Sequence, residues 1–141
     1  MSSGNFFVQT NEVETMMFDW GRIIMTCTPE ITGSSGFSAG IVEMEPGQGH
    51  DRHNHPGAEE LIYVISGEGE QMVEDEEGNP IVSTVKAGCT IYVPESRFHY
   101  TVNTGKEQMK VLVVYSPPGS EKELRKLPDF RLIPPAQQPK G

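Results

Sequence analysis

Cysteine is scarce in this sequence: Cys27 and Cys89 stand alone among 141 residues with no local spacing pattern, so neither a disulfide framework nor a thiolate zinc site is indicated. Both read as reduced core residues. Basic residues are few as well. The 11 Lys and Arg are outnumbered by 20 Asp and Glu, for a formal net charge of -9. They are scattered rather than gathered into a stripe, which disfavours nucleic acid as a partner. No apolar run approaches the roughly 20 residues of a membrane helix. Met1 to Thr10 carries neither the basic start nor the apolar centre of a secretory signal, so a cytoplasmic location is expected. Helical periodicity is missing from the central body, which disfavours an α/β sheet with crossover helices. Repeats at a period of about 20 to 50 residues are missing too.

What is present is a succession of short β-branched or alternating runs between turn signals. They cover Gly21 to Cys27, Phe37 to Glu45, Glu60 to Ile65, Glu70 to Glu74, Ile81 to Val85, Thr90 to Val93, Tyr100 to Asn103 and Met109 to Tyr115. Runs so spaced predict an all-β sandwich or barrel. Glu76-Glu77-Gly78-Asn79-Pro80 and Asn103-Thr104-Gly105-Lys106 both read as hairpin turns. Near the end, Ser120 and Glu123 form a capping-box pairing that predicts a short helix through Leu124 and Leu127, stopped by Pro128. The expected organisation is an N-terminal arm over residues 1–19, a barrel over 20–116, and a short helix with a proline-rich tail over 117–141. Pro134, Pro135 and Pro139 leave that tail extended.

Histidine supplies the chemical signal. The chain has four, His50, His53, His55 and His99. Residues two apart on a strand share a face, so His53 and His55 can aim both imidazoles into one cavity. Glu60 begins the next strand after the turn-prone Pro56-Gly57-Ala58, and His99 completes the set from a later strand. Three imidazoles and one carboxylate suit one divalent transition metal, Zn, Mn, Fe, Ni, Co or Cu, and suit Ca or Mg poorly. An octahedral ion would keep two positions for water or substrate, as catalytic sites do.

These residues fall on two motifs of the cupin superfamily, which the sequence resembles. Gly47, His53-Asn54-His55, Glu60 and Gly67 match every interval of the first motif. Gly88, Pro94, His99 and Asn103 match the second, with Ser96 where the family usually has glycine, a change that bears on turn geometry and not on metal binding. The resemblance implies a double-stranded β-helix, or jelly roll, with the metal inside it, and a homodimer. It does not imply a reaction, since cupins include isomerases, dioxygenases, decarboxylases and binding proteins.

Around the four ligands the reading stays open. His50 reads as a solvent-facing loop residue or as a substrate-binding or proton-transfer group. Arg97 shares the parity of His99 and could clamp a substrate carboxylate or phosphate, or lie exposed in a loop. Glu59 is expected to point outward. No general base can be assigned; His50, Glu59 and a tyrosine are candidates. Tyr63, Tyr92 and Tyr100 read as core packing, and Trp20 and Phe18 as a cover for a barrel end or a subunit interface. The leading expectation is a metal-dependent enzyme that isomerises or tautomerises a small oxygen-rich metabolite such as a sugar, sugar acid or keto acid. The alternatives are an Fe(II)-dependent dioxygenase acting on a diketone or catechol, and a non-catalytic metabolite-binding or sensory module.

Overall fold

In the computed structural model, which describes residues 5–135, the β-runs become eleven strands in two antiparallel sheets. In chain order they are β1 (Thr15–Phe18), β2 (Gly21–Cys27), β3 (Ser38–Met44), β4 (Gly49–His53), β5 (Glu59–Ser66), β6 (Glu68–Glu74), β7 (Pro80–Lys86), β8 (Thr90–Val93), β9 (His99–Asn103), β10 (Met109–Ser116) and β11 (Arg131–Ile133). One sheet has seven strands in the order β11-β1-β2-β3-β10-β5-β8, and the other four in the order β4-β9-β6-β7. This is the cupin jelly roll. Alternation drives the layering: Met109, Val111, Val113 and Tyr115 of β10 are buried while their neighbours are not. On β5, Glu60, Ile62 and Val64 face inward and Glu59, Leu61, Tyr63 and Ile65 outward. The inward sets meet Ile23, Val42 and Met44 in a single apolar core.

All eight strands expected from sequence are present, several a residue or two longer. Strand β4 is not among those eight runs, because Gly49-His-Asp-Arg-His carries no apolar alternation; a strand was expected at His53 and His55, but it runs instead from Gly49 to His53 and forms by pairing with β9, with His53 opposite His99. Strands β1 and β11 pair with one another inside the segments read from sequence as arm and tail. The Asp75–Asn79 turn closes the β6–β7 hairpin as expected, with the Asp75 carboxylate accepting from the backbone N–H groups of Glu77 and Asn79 at 2.9 Å each.

Two turn-level expectations need correction. Asn103–Lys106 is not a hairpin, because β9 and β10 lie in different sheets. Asn103 is completely buried, and its Nδ2 donates to the carbonyls of Met44 (2.9 Å) and Glu107 (2.8 Å) while its Oδ1 accepts from the Gly105 N–H (2.9 Å). The side chain thereby carries the chain from one sheet to the other. The C-terminal helix is a 3-10 helix over Ser120–Lys126, and its N-cap is Gly119 with no side-chain cap. Glu121, rather than Ser120, satisfies the freed backbone, accepting from the Gly119 N–H at 3.2 Å. Both cysteines are free and half-buried. The reading of Pro139 lies outside the described residues.

Asn103→Ala would strand the buried Met44 carbonyl, release the part-buried Glu107 carbonyl and free the sheet-to-sheet turn. A loss of about 2–4 kcal/mol is expected, summing the roughly 1–3 kcal/mol for each group left unsatisfied against partial relaxation. Urea denaturation, with the midpoint falling at unchanged slope, checks this.

Candidate metal centre

Four elements converge on one point inside the barrel. His53 is the last residue of β4, His99 the first of β9, and Glu60 the second of β5. His55 lies not on the strand with His53 but in the loop beyond it, where the Ala58 N–H donates to the His55 carbonyl at 3.1 Å. Strand parity therefore does not explain why these two histidines meet; the turn does. The ligand atoms of His53, His55, Glu60 and His99 all lie within 4.8 Å of one another and could hold a metal ion.

The tautomers fit such an ion. His53 Nδ1 lies 2.6 Å from the Asp51 carbonyl and His99 Nδ1 lies 3.0 Å from the Arg97 carbonyl. A carbonyl only accepts, so each Nδ1 carries the proton and each Nε2 keeps a lone pair. His55 Nε2 and His99 Nε2 sit 3.2 and 2.9 Å from Glu60 Oε1. All three atoms are buried without a hydrogen-bond partner. With its proton on Nδ1, His99 Nε2 faces the Glu60 carboxylate as a second acceptor, and acceptors crowded together out of water are unfavourable unless a cation lies among them, so the donor set fits a divalent ion.

Electrostatics agree. Burial pushes the Glu60 carboxyl up, but the His55 and His99 imidazoles more than offset this and hold it at about 2. Burial lowers His53 to about 2 and His50 to about 4 from an ordinary 6.5. At neutral pH the apo site thus holds an ionised Glu60 carboxylate with uncharged His53 and His50 rings nearby.

His50 is not a loop residue. It lies on β4 with its ring stacked on His53, centroids 3.8 Å apart, and on Trp20 at 5.1 Å. Trp20 in turn stacks on Phe18 at 5.2 Å, and Phe18 meets Phe130 at 6.0 Å. These rings form a column from the C-terminal segment to the centre. Arg97 is not brought to the ligands. Its guanidinium donates to the Glu74 carbonyl at 3.2 Å and faces Glu76. Glu59 points outward, bonded to the Tyr92 hydroxyl. Tyr63 and Tyr92 are exposed, and Tyr100 bonds to Glu70.

The tyrosine that does line the cavity is Tyr115, whose ring lies 4.9 Å from that of His55. Burial, together with the charges of Glu60 and Glu121, raises its phenol well above the usual range. The alternation of Met109, Val111 and Val113 carried the signal for its inward direction. Thr101, two residues after His99, also lines the cavity and donates to Gln71 at 2.5 Å. The free space beside the ligands is about 30 Å³.

Ser96 holds a left-handed φ of 64°, a conformation that favours glycine. Its Oγ accepts from the Gly57 N–H at 3.0 Å and its carbonyl accepts from Asn54 Nδ2 at 3.1 Å. It therefore ties down the loop that carries His55.

With the geometry in place, comparison with known proteins defines the class. Residues 40–115, just over half of the chain, match the family described as the cupin domain, and the chain belongs to that family. It is 37% identical over 65 residues to a glucose-6-phosphate isomerase of Thermococcus onnurineus (45% of this chain, 34% of that protein). It is 28% identical over 81 residues to germin-like protein 1 of Brassica napus (57% and 39%). The chain thus spans roughly a third to two fifths of these two relatives' length. Among solved structures, oxalate decarboxylase from Bacillus subtilis superimposes with a TM-score of 0.66 at 27% identity, covering 70% of this chain and 26% of the other. One study of that enzyme concerns its Mn(II) centres. The Lactobacillus farciminis oxalate decarboxylase gives a TM-score of 0.74 over 94% of this chain and 36% of the other, at 24% identity, a likeness of fold.

Elemental mass spectrometry of untagged protein should find a near-stoichiometric divalent transition metal in the wild type and in His50→Ala, and at least ten-fold less in His99→Ala. Equal retention in both variants would refute the ligand assignment. For the metal-free protein, His50 and His53 take up protons far more readily when unfolded. Stability should hold above about pH 6.5 and fall as the pH drops toward 4. Calorimetry showing a Tm that rises on acidification would contradict this.

Proposed function

We propose that this cupin is a metal-dependent enzyme that isomerises or tautomerises a small oxygen-rich metabolite. The observation that carries the reading is the convergence of ligand atoms from His53, His55, Glu60 and His99, three of them buried without a hydrogen-bond partner, with two further groups beside it able to hold a proton. A divalent ion bound there supplies Lewis acidity, polarising a carbonyl and favouring a developing enolate. His50 is uncharged at neutral pH and can accept a proton; Tyr115 keeps its phenolic proton and can donate one. Ile62, Val111 and Val113 give the space beside them apolar walls. Space of about 30 Å³ admits one edge of a molecule and not a sugar ring. The substrate class is therefore a compact hydroxy or keto acid offering two adjacent oxygens, or the open-chain end of a sugar. The kinship with a sugar-phosphate isomerase supports this direction.

A second reading is favoured by the same confinement. His55, Glu60 and His99 are 8%, 4% and 1% exposed, which also suits an ion that holds the barrel together without turnover. Metal-loaded protein incubated with keto acids, hydroxy acids, aldoses and uronates, with solvent deuterium exchange followed by NMR, separates the two. Exchange or conversion that Tyr115→Phe reduces at least ten-fold supports the enzyme. A metal-dependent rise in Tm with no exchange supports the structural ion.

We further infer a homodimer through the outer face of β5 and the edge strand β8, where Leu61, Tyr63, Ile65 and Tyr92 expose apolar surface. Leu61→Glu should convert a dimer to a monomer in sedimentation velocity; a wild type that sediments as a monomer would end this inference. No helix among the described residues is long and apolar enough to cross a membrane.

A further inference from the structure

Two apolar features of one chain stand uncovered near opposite edges of the seven-stranded sheet. The first is the N-terminal arm that leads into β1. Its Phe6 and Phe7 are 78% and 87% exposed, so neither ring rests on its own barrel. A 3-10 turn over Thr10–Glu12 follows, in which the Gln9 N–H donates to Glu12 Oε1 at 2.6 Å and the Glu12 N–H donates to the Gln9 carbonyl at 3.0 Å. The second feature is the outer face of the sheet. Ile24, Ile41, Leu112 and Tyr63 stand opposite one another across β2, β3, β10 and β5, and Ala39, Val114, Leu61 and Tyr92 form the next row across β3, β10, β5 and β8. The β5–β8 end of these rows is the exposed one.

We propose that the arm of a second copy of this chain covers the β5–β8 face, with Phe6 and Phe7 packing on Leu61, Tyr63 and Tyr92, and that the exchange is reciprocal across a two-fold axis. The proposal rests on the homodimer inferred above and names what holds it together. Geometry selects a second copy over the chain's own arm. In the order β11-β1-β2-β3-β10-β5-β8 the middle strand is β3, so a two-fold axis through β3 and parallel to it lays β1 of one copy over β5 of the other, where the arm emerges. Within one chain β5 lies four strand spacings from β1, about 19 Å. The arm from Phe7 to Glu14, part of it wound into the 3-10 turn, spans only about 22 Å at full stretch, which leaves no slack to seat both rings. Charge points the same way. Residues 5–11 carry none, so the arm brings no further negative charge to a copy whose own net charge is -9. One reciprocal pair leaves neither apolar feature exposed, whereas a single chain leaves both.

The test mixes two full-chain variants and reads association by sedimentation velocity over a concentration series. Phe6→Ser with Phe7→Ser removes the arm's contact and leaves the face; Leu61→Glu spoils the face and leaves the arm. Each variant alone loses both contacts of the pair and should dimerise at least a hundred-fold more weakly than the wild type. Mixed in equal amounts, the two should pair at least ten-fold more tightly than either does with itself, because the intact arm of the Leu61→Glu copy meets an intact face on its partner. Recovery on mixing also rules out misfolding as the cause of the loss. A wild type that sediments as a monomer overturns the homodimer and the arm exchange together. A dimer that Leu61→Glu breaks and the double serine variant leaves intact overturns the arm exchange alone, as does a mixture no tighter than its components.

Discussion

Inward-facing nitrogens of His53 and His99 meet a buried carboxylate at the middle of this barrel, and the surrounding structure is arranged to hold them there. Two backbone carbonyls fix the proton of His53 and of His99 on the outer nitrogen, which commits both inner nitrogens to acceptor character. Glu60 adds an anion in the same enclosed space. In an apolar interior such a group is tolerable only when a cation neutralises it or when water reaches it. Strands from both sheets hold the ligands in place: the β4–β9 pair sets His53 against His99, and β5, locked between β8 and β10, presents Glu60.

The legibility of this arrangement in the sequence was uneven for identifiable reasons. Apolar alternation revealed β2, β3, β5 and β10 because those strands bury one face, and the motif spacing found the ligand group because each interval is a turn or strand length. The bounds of strand β4 were not legible, since its residues are polar and only the partner strand makes it regular; the strand expected at His53 and His55 stops at His53. Nothing local announced that Asn103 leads between sheets; a turn sequence specifies a reversal, not which sheet receives the chain. Tyr115 and Glu121 were overlooked because one looks like the end of a core strand and the other like one more acid on a charged segment. Their burial is a tertiary fact.

Ser96 illustrates a different compromise. A side chain at a left-handed φ opposes the local backbone preference by about 1–2 kcal/mol, and glycine would avoid that. The hydroxyl offsets it by holding the Gly57 amide, so the loop bearing His55 is fastened to the segment leading into His99. The two halves of the ligand set are linked outside the centre as well as within it.

The aromatic column gives the molecule a built-in optical reporter. Trp20 is the sole tryptophan in the chain, and its indole is separated from a ligand ring by His50 alone. Ultraviolet emission from this protein therefore comes from within two ring contacts of the centre at one end and of Phe130 at the other. Paramagnetic ions are efficient quenchers and zinc is not, so the emission intensity itself would register which kind of ion occupies the barrel.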